Sequence, residues 1–115
     1  MTKRCEVTFA ESASDNLQEI LDRYAAQLVP EVGERIVAGV VSRVEQLERF
    51  PDSGRIVPEF DTPWLRELEY PPFRIVYRRD RARVRIVRVW RGERLMDESL
   101  AETPNKRINA DKSAV

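Results

Sequence analysis

The 115-residue chain contains no histidine. Ser-His-Asp and Cys-His catalysis, a histidine general base and histidine-ligated metals are thereby excluded. There is one cysteine, Cys5, so neither an internal disulfide framework nor a cysteine-rich zinc site can form. No apolar run approaches the roughly 18 residues of a membrane span. The glycines, Gly33, Gly39, Gly54 and Gly92, are scattered. They build no phosphate loop or dinucleotide fingerprint, and no cofactor is expected. Lysine is scarce as well, with 3 Lys against 17 Arg. GC-rich coding accounts for that ratio but not for where the arginines cluster. The first residues lead straight into a strand-like run and do not resemble a signal peptide, so a cytoplasmic protein is the expectation.

What is present suits one α+β domain. The chain is 42% hydrophobic and 35% charged, enough for a core under a heavily charged surface. Residues 3–9 alternate, with Cys5, Val7 and Phe9 on one side, and predict a strand. Cys5 reads there as a small buried hydrophobe. Ala13, Leu17, Ile20, Leu21, Tyr24 and Leu28 recur at helical spacing and predict a helix over 11–28. Ser12 and Asp15 resemble a capping box at its start. Pro30 ends it and opens a second helix over about 31–50, with Val32, Ile36, Val40, Val44 and Leu47 as its stripe. The short connection makes the pair an antiparallel hairpin.

Turn residues 50–54 and a proline-bearing loop over 55–63 follow. Strands are expected over 64–69, 73–79 and 83–90, with a tight turn at 80–82. In the last strand Val84 and Ile86 share one phase and Val87 and Val89 the other. That slip predicts a bulge or a strand buried on both faces. A short helix over 93–100 is optional. The domain is expected to end near 102, with a disordered tail over 103–115. The stretch Arg107–Asp111 resembles translated recombination-site sequence of mobile gene cassettes. The expected architecture is β-α-α-β-β-β: an N-terminal strand and a helical hairpin on one face of a three- to four-stranded antiparallel sheet.

The neutral net charge hides an asymmetry. Residues 1–63 carry 7 basic and 12 acidic side chains, net −5, and residues 64–95 carry 10 and 4, net +6. All ten basic residues of the second segment are arginines, interleaved with Trp64, Tyr70, Phe73, Tyr77 and Trp90. A solvated sheet face explains any one of them. So many like charges on neighbouring strands destabilise one another unless an anion neutralises them. A nucleic-acid backbone or an acidic protein segment would serve. Glu67 and Glu69 fall on one strand and one face, where they repel. They read as facing solvent or a partner, not as an acid–base pair.

Four stretches resemble the RelE/ParE toxin family. Phe50–Glu59 is similar to its proline–glycine turn, Leu65-Arg66-Glu67-Leu68 to its "lREL" strand, Phe73–Tyr77 to its "YRivY" strand, and Arg88–Arg94 to its last strand. They occur in the family's order and spacing, and the resemblance spans residues 5–97. It implies a toxin of a type II toxin–antitoxin pair. RelE-like members are ribosome-dependent endonucleases that cut mRNA with lysines, arginines and a late tyrosine or histidine. ParE-like members bind DNA gyrase and lack that set.

Of the endonuclease set this chain supplies Arg74 and Arg94 in matching positions. It has Leu65 and Glu67 where lysines are expected, Arg91 where histidine is frequent, and no tyrosine beyond Tyr77. Arginine stays protonated and serves poorly as a proton-transfer group. Tyr77 has the phase of the helix-facing core. The resemblance therefore implies a ParE-like, non-enzymatic gyrase inhibitor neutralised by an antitoxin with an acidic amphipathic segment. The toxin and antitoxin would form a hetero-oligomer. The alternatives are a RelE-like mRNA endonuclease acting at the ribosome through Arg74, Arg91, Arg94 and Tyr77, and a non-toxic binding module on the same fold. The partner-binding residues expected are Arg66, Arg74, Arg78, Arg85, Arg88, Trp90, Arg91 and Arg94.

Overall fold

A computed structural model describes residues 4–92, so the expectations for residues 93–115, Arg94 among them, lie outside the described part. The elements are β1 (Glu6–Phe9), α1 (Glu11–Ala26), α2 (Pro30–Glu45) with a 3-10 turn over Gln46–Glu48, β2 (Arg55–Ile56), β3 (Leu65–Tyr70), β4 (Phe73–Arg79) and β5 (Arg83–Arg91). The five strands form one sheet in the order β1-β5-β4-β3-β2. The sheet differs from the expected antiparallel one in two ways. β1 runs parallel to β5, because the helical hairpin carries the chain back across the sheet before β5 is reached. The loop after Gly54 adds a two-residue edge strand, β2, antiparallel to β3.

The hairpin packs on one face. Ala13 and Ile20 of α1, Val40 and Val44 of α2, and Leu47 meet Leu68, Phe73, Ile75, Tyr77, Val84, Ile86 and Val89 in the main core. Cys5, Val7 and Phe9 pack half-buried against it. Gly39 lets α2 approach the sheet: the Tyr70 ring occupies the volume a Cβ there would need. A smaller cluster of Val57, Leu65 and Val76 lies on the opposite face, with Phe60, Val87 and Trp90 against it. The loop after β2 covers this second cluster.

Two features of α1 depart from the sequence reading. Its N-cap is Ala10, with no side-chain capping bond. Ser12 instead donates to the Val87 carbonyl at 2.7 Å, and Asn16 Oδ1 accepts from the Val89 N–H at 2.9 Å. The reason is the bulge in β5. Val76 pairs with Arg88 and Tyr77 with Ile86, which leaves Val87 over as the extra residue. The interrupted ladder needs outside partners, and two polar side chains one helical turn apart supply them. Of the two alternatives for the phase slip, the bulge holds: β5 lies between β1 and β4 in the sheet, but its outer face is not buried, since Arg83 and Arg85 are exposed.

The second departure is Leu28, expected on the buried stripe but 85% exposed. The helix ends two residues earlier. The Val29 N–H reaches the Tyr24 carbonyl and the Leu28 N–H reaches that of Ala25, which closes a Schellman motif with Leu28 in the left-handed region at φ 66°. That position turns the side chain away from the core.

A candidate interaction surface

Strand alternation divides the basic residues between two faces. Phe73, Ile75 and Tyr77 point toward the helices, so Arg74, Val76 and Arg78 point outward. The pairing register places Glu67 beside Val76, Glu69 and Trp90 beside Arg74, Arg88 beside Val76, and Arg85 beside Arg78. Arg74, Arg78, Arg85, Arg88 and Trp90 thus share the outer face. Arg66 sits beside Tyr77 on the helix side. It donates to the Pro63 and Gly54 carbonyls, both at 3.0 Å, and holds the turn before β2. Arg91 pairs with Phe73 and lies over its ring at 5.8 Å. The eight expected contact residues are therefore not one cluster, and Arg94 is outside the described residues.

One end of the outer face is a closed ionic lattice. Glu67, expected to face solvent or a partner, is 1% exposed. Its carboxylate accepts from Arg55 Nε at 2.5 Å and Arg74 Nε at 2.7 Å. Cross-strand placement brings both arginines to it: Arg55 is its direct partner on β2, and Arg74 approaches from β4. Arg74 then grips Glu59 through two bonds of 3.0 and 3.1 Å, a bidentate pair that fastens the covering loop. Hydrogen bonding to Arg74 holds the Glu59 carboxyl below its ordinary range, and Glu59 in turn raises Arg74. Repulsion between Glu67 and Glu69 is relieved by Arg55, which also lies 3.7 Å from Glu69.

Tyr77 is on the other side of the sheet from Arg74. Its hydroxyl accepts from the Gly54 N–H at 3.0 Å and donates to the Pro51 carbonyl at 2.8 Å. Burial raises its pKa. A Cβ at Gly54 would come within 2.6 Å of that hydroxyl, so the glycine is what lets the turn seat on the tyrosine. Tyr77 is a core strut with both hydrogen-bonding roles taken. No sequence signal announced this, because the tie joins residues 23 apart through one hydroxyl.

The other end of the outer face is open. Trp64, Arg78, Arg83 and Arg85, with Glu6 and Thr8 of β1 and Asp80 of the turn, line a groove of about 680 Å³. The Arg78 guanidinium lies 4.9 Å over the Trp64 ring, which is 43% exposed. Arg88 stacks on Trp90 at 5.5 Å, between the two ends. Among the described residues no group of three or more potential ligands could hold a metal ion. None of the described helices is long and apolar enough to cross a membrane.

The profile of the ParE toxin of type II toxin–antitoxin systems matches residues 7–96, and the chain belongs to that family. Among solved structures, a chain of the chromosomal ParDE toxin–antitoxin system from P. aeruginosa is similar at 26% identity and a TM-score of 0.65. That match covers 78% of this chain and 98% of that one. A chain of the RelBE2 toxin–antitoxin complex from Mycobacterium tuberculosis shares the fold at 22% identity and a TM-score of 0.58. It covers 81% and 98% of the two chains. No curated protein sequence matches the chain. The protein is a toxin of the type II class.

Proposed function

We propose that this toxin arrests growth by binding DNA gyrase in the cytoplasm, without cutting RNA, and that a cognate antitoxin with an acidic amphipathic segment neutralises it in a hetero-oligomeric complex. The match to the ParE profile supports the target class. The observation that carries the non-enzymatic reading is the separation of Arg74 from Tyr77. Arg74 spends its donors on Glu67 and Glu59, while Tyr77 lies on the opposite face with its hydroxyl engaged twice. Cleavage beside a 2′-hydroxyl needs a base and an acid at one phosphate, and such groups are worth roughly 10²–10⁴-fold each. Arginine stabilises charge but does not transfer protons at neutral pH.

The test is expression without antitoxin in a bacterial host, together with a supercoiling assay on purified gyrase. Growth arrest with lost supercoiling and intact mRNA is expected. Codon-phased cuts at the ribosomal A site that vanish in Arg74→Ala would replace this reading with the endonuclease one. Absence of arrest would leave a binding module on a toxin fold.

A further inference from the structure

The open end of the outer face is chemically unlike the rest of the arginine surface. Arg78 and Arg85 are direct cross-strand partners on β4 and β5. Their Cβ atoms are thus about 5 Å apart, the spacing at which like charges destabilise a sheet. Among the described residues, no carboxylate lies within 4.0 Å of either guanidinium; the recorded ion pairs go to other arginines. Arg83 is paired with Glu6 at 3.5 Å and Arg79 with Asp52 at 2.9 Å. The free protein therefore keeps two adjacent positive charges uncompensated at the centre of a groove, although it neutralises Arg55 and Arg74 with its own glutamates.

The row across the strands is ordered. Leu65 pairs with Arg78, Arg78 with Arg85, and Arg85 with Thr8. Trp64 stands beside Leu65 with its ring under Arg78. From one side to the other the groove presents an aromatic face, two guanidinium forks and a hydroxyl.

We propose that this groove takes an extended acidic peptide segment of a partner protein. Its carboxylates would bridge Arg78 and Arg85, and a neighbouring apolar side chain would lie on Trp64. The arrangement favours a peptide over a nucleic acid because of the rim. Glu6 on β1 and Asp80 at the β4–β5 turn stand at the edges of the groove. A phosphodiester backbone carries negative charge at every residue and would run past these carboxylates. A peptide places carboxylates at the centre and neutral residues at the edges. Bidentate pairing of guanidinium with carboxylate sets the register. The aromatic contact supplies affinity that exposed ion pairs do not. This deepens the antitoxin reading and rests on it for the identity of the partner, though not for the binding itself.

The experiment is a nuclear magnetic resonance titration of the full chain with the end-capped peptide Ser-Leu-Glu-Glu-Ser-Ser, repeated with a hexathymidylate oligonucleotide. The peptide is expected to move the Trp64 indole and the Arg78 and Arg85 amide signals, with the effect fading as salt is raised. Each single change, Arg78→Gln or Arg85→Gln, should weaken binding roughly two- to fivefold and the double change about tenfold. Arg85→Lys should retain most of it. Removing one of two repelling charges should not unfold the chain, so these variants remain testable. No shift on this face, or equal affinity of the double variant, would overturn the proposal. So would displacement of the peptide by the oligonucleotide, which would assign the groove to nucleic acid. The titration is independent of the supercoiling assay, so failure of the gyrase reading would leave its outcome unchanged.

Discussion

The two ends of the outer sheet face share composition and differ in what their charges do. At the β2–β3–β4 end, Arg55 and Arg74 converge on the buried Glu67, and Glu59 completes the set. At the end near the β4–β5 turn, Arg78 of β4 and Arg85 of β5 confront each other across the strands, and the Trp64 ring lies against Arg78. Register makes the difference. An arginine opposite or diagonal to a glutamate becomes a structural cross-link, and an arginine opposite an arginine remains available to a partner. Counting charges along the chain cannot distinguish the two.

The comparison breaks most severely at Glu67. Glu67→Ala would strip the half-buried Arg74 of its Nε acceptor and leave it Glu59 alone, and losing a hydrogen bond to a charged group costs about 1.5–3 kcal/mol. Urea unfolding of the variant should show that loss. A change below about 1 kcal/mol would mean that the lattice is as loosely solvated as the open end.

The next effect is one of pH. Glu59 has a lowered pKa in the folded state, chiefly through its hydrogen bond to Arg74. Its contribution to stability is thus complete above the ordinary value of 4.5 and is lost as pH falls through the lower, folded one. Glu59→Gln should be less stable than the parent near pH 7, and the gap in Tm should close on acidification below pH 4.5. A gap that stays constant down the acid limb would show that the loop is not held by charge.

The smallest effect has the opposite sign. Arg85→Glu would place a carboxylate across from Arg78 and should stabilise the free chain by roughly 0.2–1 kcal/mol. A destabilised variant would imply that Arg85 already has a compensating contact. Together with the Glu67 variant it tests whether one face holds both cross-links and vacant charges.

Much of the architecture was legible because it rests on local periodicity. The stripe of Val40, Val44 and Leu47 is buried as its spacing demands, the strand over 73–79 lies where alternation placed it, and the last strand runs one residue past the expected 83–90. The capping box was misread because Ser12 has a competing use. The bulge that left the Val87 carbonyl unpaired is a tertiary event, invisible beside a local motif. Leu28 fit the helical spacing but fell beyond the last turn, where a left-handed residue reverses the side chain's direction. Glu67 was the largest misreading. Its sequence neighbours suggest repulsion, whereas its partners come from β2 and β4, at sequence distances of 12 and 7. The outer arginine face could be foreseen as a face, but not its division into two ends.

The parallel pairing of β1 with β5 also orders events during synthesis. Glu6 to Phe9 leave the ribosome ahead of the other described elements, yet their partners are residues 83–86. The helical hairpin and the β3–β4–β5 meander close through short connections and can form from what has already emerged. β1 must wait, and its docking closes a loop that encloses almost the whole domain. Thr8 and Glu6, which wall one side of the open groove, arrive with it. β1 precedes the other described elements in the chain, yet its wall of the groove can be set only once β5 has been made.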